Sequence, residues 1–254
     1  MISSRLHVQI LRDPILCAGF SLGPYFRLTS LCGTVTHREN AKPCGQCKSI
    51  YYCSVPCQRS DWRTHKLLCS AYASFDKTSR PSPTDKHFLG IFFPVDDKKP
   101  QLVWVRRGRE GSNLPVLDVQ PFLNLPPEEN ARVITIYHDP LMDKELPDMI
   151  HFDTRDNFLN DGSEFNQCLR RMTSVCPGAY QGWRGPAMIT VKVGRDPGLD
   201  LDLIQYRDVT LTDFKHLCNY LFCYQSDERL HAFRFNSVDD LFKMQGRGLQ
   251  PPLY

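Results

Sequence analysis

Five cysteines and one histidine crowd residues 44–69, CGQCKSIYYCSVPCQRSDWRTHKLLC, spaced Cys44-x2-Cys47-x5-Cys53-x3-Cys57-x7-His65-x3-Cys69. Thiolate sulfur and imidazole nitrogen are zinc donors, held in a tetrahedron at about 2.3 Å and 2.0–2.1 Å. Two residues between Cys44 and Cys47 let two sulfurs of one tight turn reach a single ion. His65 and Cys69, four apart, share a face if they lie on one helix. The spacing therefore supplies one complete set: Cys44, Cys47, His65 and Cys69. Two other uses of these thiols fit less well. A short, polar segment has too little apolar surface to hold itself together around reduced core cysteines. A disulfide framework needs an oxidising compartment, and no secretory core forms in the first twenty residues, which Arg12, Asp13 and Pro14 interrupt.

The same stretch resembles the MYND-type zinc finger. The residues that carry the resemblance are Cys44 and Cys47, Tyr51-Tyr52-Cys53-Ser54, Cys57-Gln58, Asp61-Trp62, His65-Lys66 and Cys69, about a tenth of the chain. The resemblance implies two interleaved zinc ions. One is held by Cys44, Cys47, His65 and Cys69, and the other uses Cys53 and Cys57 with two upstream ligands. Where the family places a second Cys-x2-Cys pair, this chain has Cys32, then Gly33-Thr34-Val35-Thr36, then His37. Cys32 and His37 complete a second Cys3His set; the alternatives are a weakened or water-completed site, recruitment of Cys17, or a segment altered by divergence or gene-model error. The resemblance also implies a shallow peptide-binding surface, with Gln58 and Trp62 one helical turn apart as part of it. The overall layout, including Trp183-Arg184-Gly185-Pro186, further resembles fungal-type proteins that join such a finger to a C-terminal region without an assigned activity.

Stepping outward to the elements, Ser54 can cap a first helical turn with Pro56 inside it, where a missing amide proton costs nothing. Ser60 or Asp61 can cap a second helix running through Trp62, His65 and Cys69. Tyr51, Tyr52 and Trp62 supply an aromatic layer. Lys42, Lys48, Arg59, Arg63 and Lys66 stand against Asp61 alone within residues 41–69, yet the whole chain carries a net charge of only +3. The cations are spread along the segment instead of forming a phosphate-tracking stripe, which weighs against nucleic acid.

At 254 residues, with 41% hydrophobic content and fifteen Phe, the chain has far more apolar surface than a finger can use, which excludes a disordered tail. The expected class is α+β: a small cross-braced zinc finger joined to a mixed domain. The expected order is an N-terminal strand-containing segment (1–31), finger (32–69), helix end and linker (70–86), and mixed domain (87–254). Residues 87–95 and 101–107 read as a hairpin, 131–138 as a strand, and 187–194 with 201–209 as a pair. Thr212 or Asp213 caps a helix whose Phe214, Leu217, Cys218 and Leu221 form an apolar stripe, and a short helix follows near 237–245. LHVQIL, residues 6–11, reads as a further strand, with the alternative that segment 1–31 packs on the C-terminal domain and makes the finger an insertion near the front of one body.

No stretch is long and apolar enough to cross a bilayer. No dinucleotide fingerprint, P-loop, zinc-protease or nucleophile-elbow motif is present, nor the Asn-His-Ser element expected of SET-type methyltransferases. The expected function is a non-catalytic, intracellular (nuclear or cytoplasmic), zinc-dependent module that binds a protein or short peptide. The alternatives are an enzyme with an unrecognised catalytic C-terminal domain and a regulator contacting nucleic acid.

Overall fold

The computed structural model describes residues 41–81, 86–108, 116–126, 129–156, 158, 160–173, 182–194 and 204–226, with 223–226 as backbone only. Cys17, Cys32, His37, the expected strand in 6–11 and the expected helix near 237–245 lie outside the described residues.

The first segment is built on two very short strands, β1 (Lys42–Pro43) and β2 (Tyr51–Tyr52), paired antiparallel around the turn that carries Cys44 and Cys47. Helix α1 (Val55–His65) follows at once, and its N-cap is Ser54, whose Oγ accepts from the amide of Cys57 at 3.3 Å. Pro56 sits in the first turn, as its chemistry demands. The expected second cap is not found, because Ser60 and Asp61 lie inside α1. The helix ends at His65 because the amides of Leu67 and Leu68 turn back to the carbonyls of Thr64 and His65, three residues earlier. A new helix, α2 (Cys69–Ser74), then begins. His65 and Cys69 thus come from two helices and the turn between them, and fully buried Leu68 anchors that turn.

The larger part is a six-stranded antiparallel sheet of β3 (His87–Phe93), β4 (Gln101–Arg106), β5 (Arg132–Asp139), β6 (Lys144–Thr154), β7 (Ala187–Lys192) and β8 (Tyr206–Arg207), in the order β4-β3-β7-β6-β5. Strand β8 joins β7 beyond the stretch that β3 occupies. The register puts Ile91, Ile189 and Phe152 in line on one face, and Phe92, Met188 and Asp153 in line on the other. This alternation divides the core in two. The second face is covered by residues 117–125, including the short helix α3 (Gln120–Leu123), through Leu117, Val119 and Leu123.

The first face carries α4 (Gln167–Thr173), α5 (Leu211–Ser226) and the finger together. Phe214, Leu217, Cys218 and Leu221 of α5 are buried there, and so are Cys168, Leu169 and Met172 of α4. The cap of α5 is Thr210, ahead of the expected position. Thr210 Oγ1 accepts from the amide of Asp213, whose carboxylate accepts from the amide of Thr210 in return. Asp213 also receives Arg207 in a two-pronged ion pair, and Arg207 reaches Asp148 as well. No helix among the described residues is long and apolar enough to cross a membrane.

Candidate metal centre

Cys44, Cys47, His65 and Cys69 converge: each offers one ligand atom, and all four atoms lie within 4.8 Å of one another. The donors come from one turn and from two successive helix ends. Cys44 opens the turn after β1, where its amide donates to the Ile50 carbonyl at 2.8 Å. Cys47 closes that turn, followed by Lys48 in the left-handed region at φ 56°. His65 is the last residue of α1 and Cys69 the first of α2. All four are buried.

The spacings are those of a zinc shell. Tetrahedral angles at the usual bond lengths put two sulfurs about 3.8 Å apart and a nitrogen and sulfur about 3.6 Å apart. The Sγ atoms of Cys44 and Cys69 are 3.7 Å apart, and His65 Nε2 stands 3.3 Å from Cys44 Sγ and 3.7 Å from Cys47 Sγ. The thiols show why a cation belongs here. Burial disfavours the Cys44 thiolate, but the amides of Cys47 and Gln46, with His65 and Cys69, outweigh it and bring the thiol down to about 6. Burial and the neighbouring Cys44 push Cys69 up to about 12, and burial raises Cys47 too. One thiolate forms readily, and its negative charge resists the next until a dication neutralises the cluster. These four residues are a zinc-binding tetrad.

Residues around the tetrad hold its helix in place. The ring of Tyr52 meets His65 edge-on at 6.0 Å, and Trp62 lies tilted against the imidazole at 5.8 Å. Tyr52 Oη donates to Asp61 Oδ2 at 2.6 Å, and burial together with that carboxylate raises the phenol well above its ordinary range. Asp61 also faces Lys215 of α5 at 3.9 Å. The aromatic layer expected from sequence is therefore split. Tyr52 is buried, whereas Tyr51 and Trp62 are 62% and 45% exposed and available to a partner.

Cys53 and Cys57 also come together, with their Sγ atoms 3.0 Å apart at the start of α1. Cys32 and His37 lie outside the described residues. Two supporting residues escaped sequence reasoning: Lys215 and Ser49, whose Oγ accepts from the amide of Leu211 at 3.0 Å. Asp61 carried a signal in the sequence as the sole acid within residues 41–69.

A second buried polar cluster lies away from the tetrad. His216 Nδ1 is 2.6 Å from Asp139 Oδ2, and Asp139 is also held by Asn219 and the amides of Leu141 and Met142. This cluster ties α5 to the end of β5. Cys168 and Cys218 are buried core residues, with burial raising both thiols.

Comparison with known proteins agrees with this geometry. Residues 30–69 match the MYND finger family. The chain is 49% identical over 49 residues to N-lysine methyltransferase SMYD2-A of Danio rerio, covering 19% of this chain and 11% of that protein. It is 42% identical over 52 residues to N-lysine methyltransferase SMYD2 of Gallus gallus, covering 20% and 12%. The human N-lysine methyltransferase SMYD2 is 45% identical over 49 residues, covering 19% and 11%. The chain therefore spans about a tenth of the length of these curated relatives. No solved structure matches. The ligand geometry and the family match coincide on one segment: residues 30–69 are a MYND-type zinc finger, homologous to that of SMYD2 proteins and joined here to a mixed helix-and-strand domain.

Proposed function

We propose that this protein is a non-catalytic interaction module whose finger presents the outer face of α1 to a short peptide. One observation carries the reading. The zinc ligand His65 and the buried Cys57 and Asp61 use the inner side of α1, while Val55, Gln58, Arg59 and Trp62 line a shallow groove of about 320 Å³ on its outer side. Val55 and Trp62 are 58% and 45% exposed, and Tyr51 lies beside them in sequence at 62%. A large aromatic fixed by its contact with a metal-bound imidazole is a low-entropy anchor for a partner. Gln58 adds a donor and an acceptor for an extended backbone. The relatives' names assign them lysine methylation, but the shared part is the finger alone, and no such activity is proposed for this chain.

The reading includes a second zinc on Cys53 and Cys57, completed by Cys32 and His37. The convergence of the two described sulfurs at the start of α1 supports it, and zinc binding would widen their 3.0 Å separation to the roughly 3.8 Å of a tetrahedral site.

The experiment combines metal content with peptide selection. Pure protein should contain two zinc ions per chain. Replacing Cys44 or His65 by Ala should remove one; replacing His37 should remove the other, and two ions retained in that variant would strike His37 from the ligand set. A displayed library of random twelve-residue peptides, selected on zinc-loaded full chain, should yield binders that Trp62→Ala weakens about 30-fold with zinc content unchanged. Failure to obtain any Trp62-dependent binder would overturn the peptide-binding reading.

A further inference from the structure

We infer that the partner peptide carries a cluster of acidic residues beside its apolar core, read by a basic groove that the finger and the C-terminal domain build jointly. This rests on the reading of α1 as a peptide surface and deepens it. The groove, about 240 Å³, is lined by Arg63, Thr64, Lys66 and Leu67 at the end of α1, and by Arg171 and Met172 of α4. It has three cations on its walls and apolar side chains from both elements.

The two grooves are successive along one helix. At 100° per residue, Arg59, Trp62, Arg63 and Lys66 fall within a sector of about 100°. Val55 and Lys66 are about 16 Å apart along the axis, a distance that about five residues of extended peptide cover. A peptide anchored on Trp62 therefore reaches the basic groove within a few residues.

The finger's own cations at the groove have no carboxylate counterpart among the described residues. Arg59, Arg63 and Lys66 are exposed, and among the described residues no carboxylate pairs with them. The one acid within residues 41–69, Asp61, is buried and engaged with Tyr52 and Lys215. The carboxyl ends of α1 and α4 meet at the groove, each contributing roughly half a negative charge. Arg63 and Lys66, two full cations, exceed that and leave the finger's side of the groove positive. Arginine forks pair carboxylates bidentately, and the half-buried Leu67 suits the methylenes of Glu. Duplex nucleic acid demands an extended row of cations, which a pocket shared by two helices does not present.

The test uses the peptides selected on zinc-loaded full chain. Binders should show Asp or Glu enriched on one side of the apolar core. Arg63→Gln and Lys66→Gln should each weaken them about tenfold, with zinc content and melting temperature unchanged. Arg171→Gln should do the same from the other wall, and affinity should fall as NaCl rises from 50 to 500 mM. Trp62-dependent binders with no acidic bias and no response to these variants would overturn this inference while leaving the peptide-binding reading intact. The absence of any Trp62-dependent binder would remove both. Displacement of the acidic peptides by a twelve-base-pair DNA duplex at lower concentration than by unlabelled peptide would assign the groove to nucleic acid and overturn the inference.

Discussion

His151 and Asp153 project from the same face of β6, two residues apart, and the low-dielectric interior displaces their titrations in opposite directions. Burial, with Lys192 nearby, lowers the imidazole to about 4, while burial alone raises the carboxyl to about 7. Among the described residues Asp153 Oδ2 has no hydrogen-bond partner to offset its desolvation. Between pH 3.8 and about 7 the folded chain holds a proton on Asp153 that the unfolded chain has released, so this residue costs stability as pH rises. Between pH 6.5 and about 4 the folded chain refuses a proton on His151 that the unfolded chain accepts, so this residue costs stability as pH falls. The two oppose each other across the shared window. Asp153→Asn should therefore gain stability over wild type progressively from pH 4 to 7, and His151→Gln should gain it progressively from pH 6.5 down to 4. Urea melts at half-unit intervals, taken as differences from wild type, test both; two flat difference curves would show that these side chains titrate as if in water.

Among the elements, α4 depends most on a single side chain. Asn166 is fully buried, its Oδ1 accepts from the amide of Leu169 at 2.8 Å, and its Nδ2 donates to the carbonyls of Phe93 and Gly185, each at 2.9 Å. One residue thus caps the helix and bolts it to the end of β3 and the start of β7. Asn166→Ala should cost about 2–4 kcal/mol, a lost cap plus two buried carbonyls left without a donor. Urea unfolding measures it, and a loss under about 0.5 kcal/mol would show that α4 is held by its apolar face alone. At this scale the sequence is readable only where pattern and length agree. The β3–β4 hairpin, β5 and α5 announce themselves through apolar runs, alternation and a helical stripe. The seven residues of α4 are too few for a period. Strand β6 is concealed by Pro147, which sits exposed where β5 slips register between Ile136 and His138, and outside the stretch 149–154 that pairs with β7. The ligand spacing revealed the tetrad because metal geometry is local. It misassigned His65 and Cys69 to one helix because a helix and a tight helix–turn–helix both satisfy a four-residue interval.

In the whole molecule the finger is not a bead on a string. Ile50, Tyr52, Leu68 and Tyr72 belong to the same apolar cluster as Phe93, Phe152, Phe214 and Leu217. Polar ties reinforce the seam: Ser49 receives the first amide of α5, Tyr72 Oη donates to the Val209 carbonyl, and Asp61 faces Lys215. Beyond α2 the chain stays attached, with Phe75 against Trp104 at 5.4 Å and Arg80 stacked on Trp104 while paired with Asp208. None of this was legible in the sequence, because Ser49 and Leu211, or Lys66 and Arg171, become neighbours only when the sheet brings distant segments to one face. The seam determines what zinc does for the protein. Without the ion, three thiols and an imidazole remain buried around a negative charge, and the short strands and helices holding them lack a core of their own. Because their apolar side chains complete the core beneath α5, loss of the finger exposes Phe214 and Leu217 as well. Chelation should therefore shift the melting of the entire chain downward in one cooperative transition, and should speed hydrogen exchange in α5 as well as in the finger. Calorimetry with and without a strong zinc chelator tests this, with Asp61→Asn as a variant that loosens the seam but leaves every ligand in place. A finger transition that vanishes while the sheet domain melts at an unchanged temperature would show the two to be thermodynamically separate, and would return the finger to the role of an appended module.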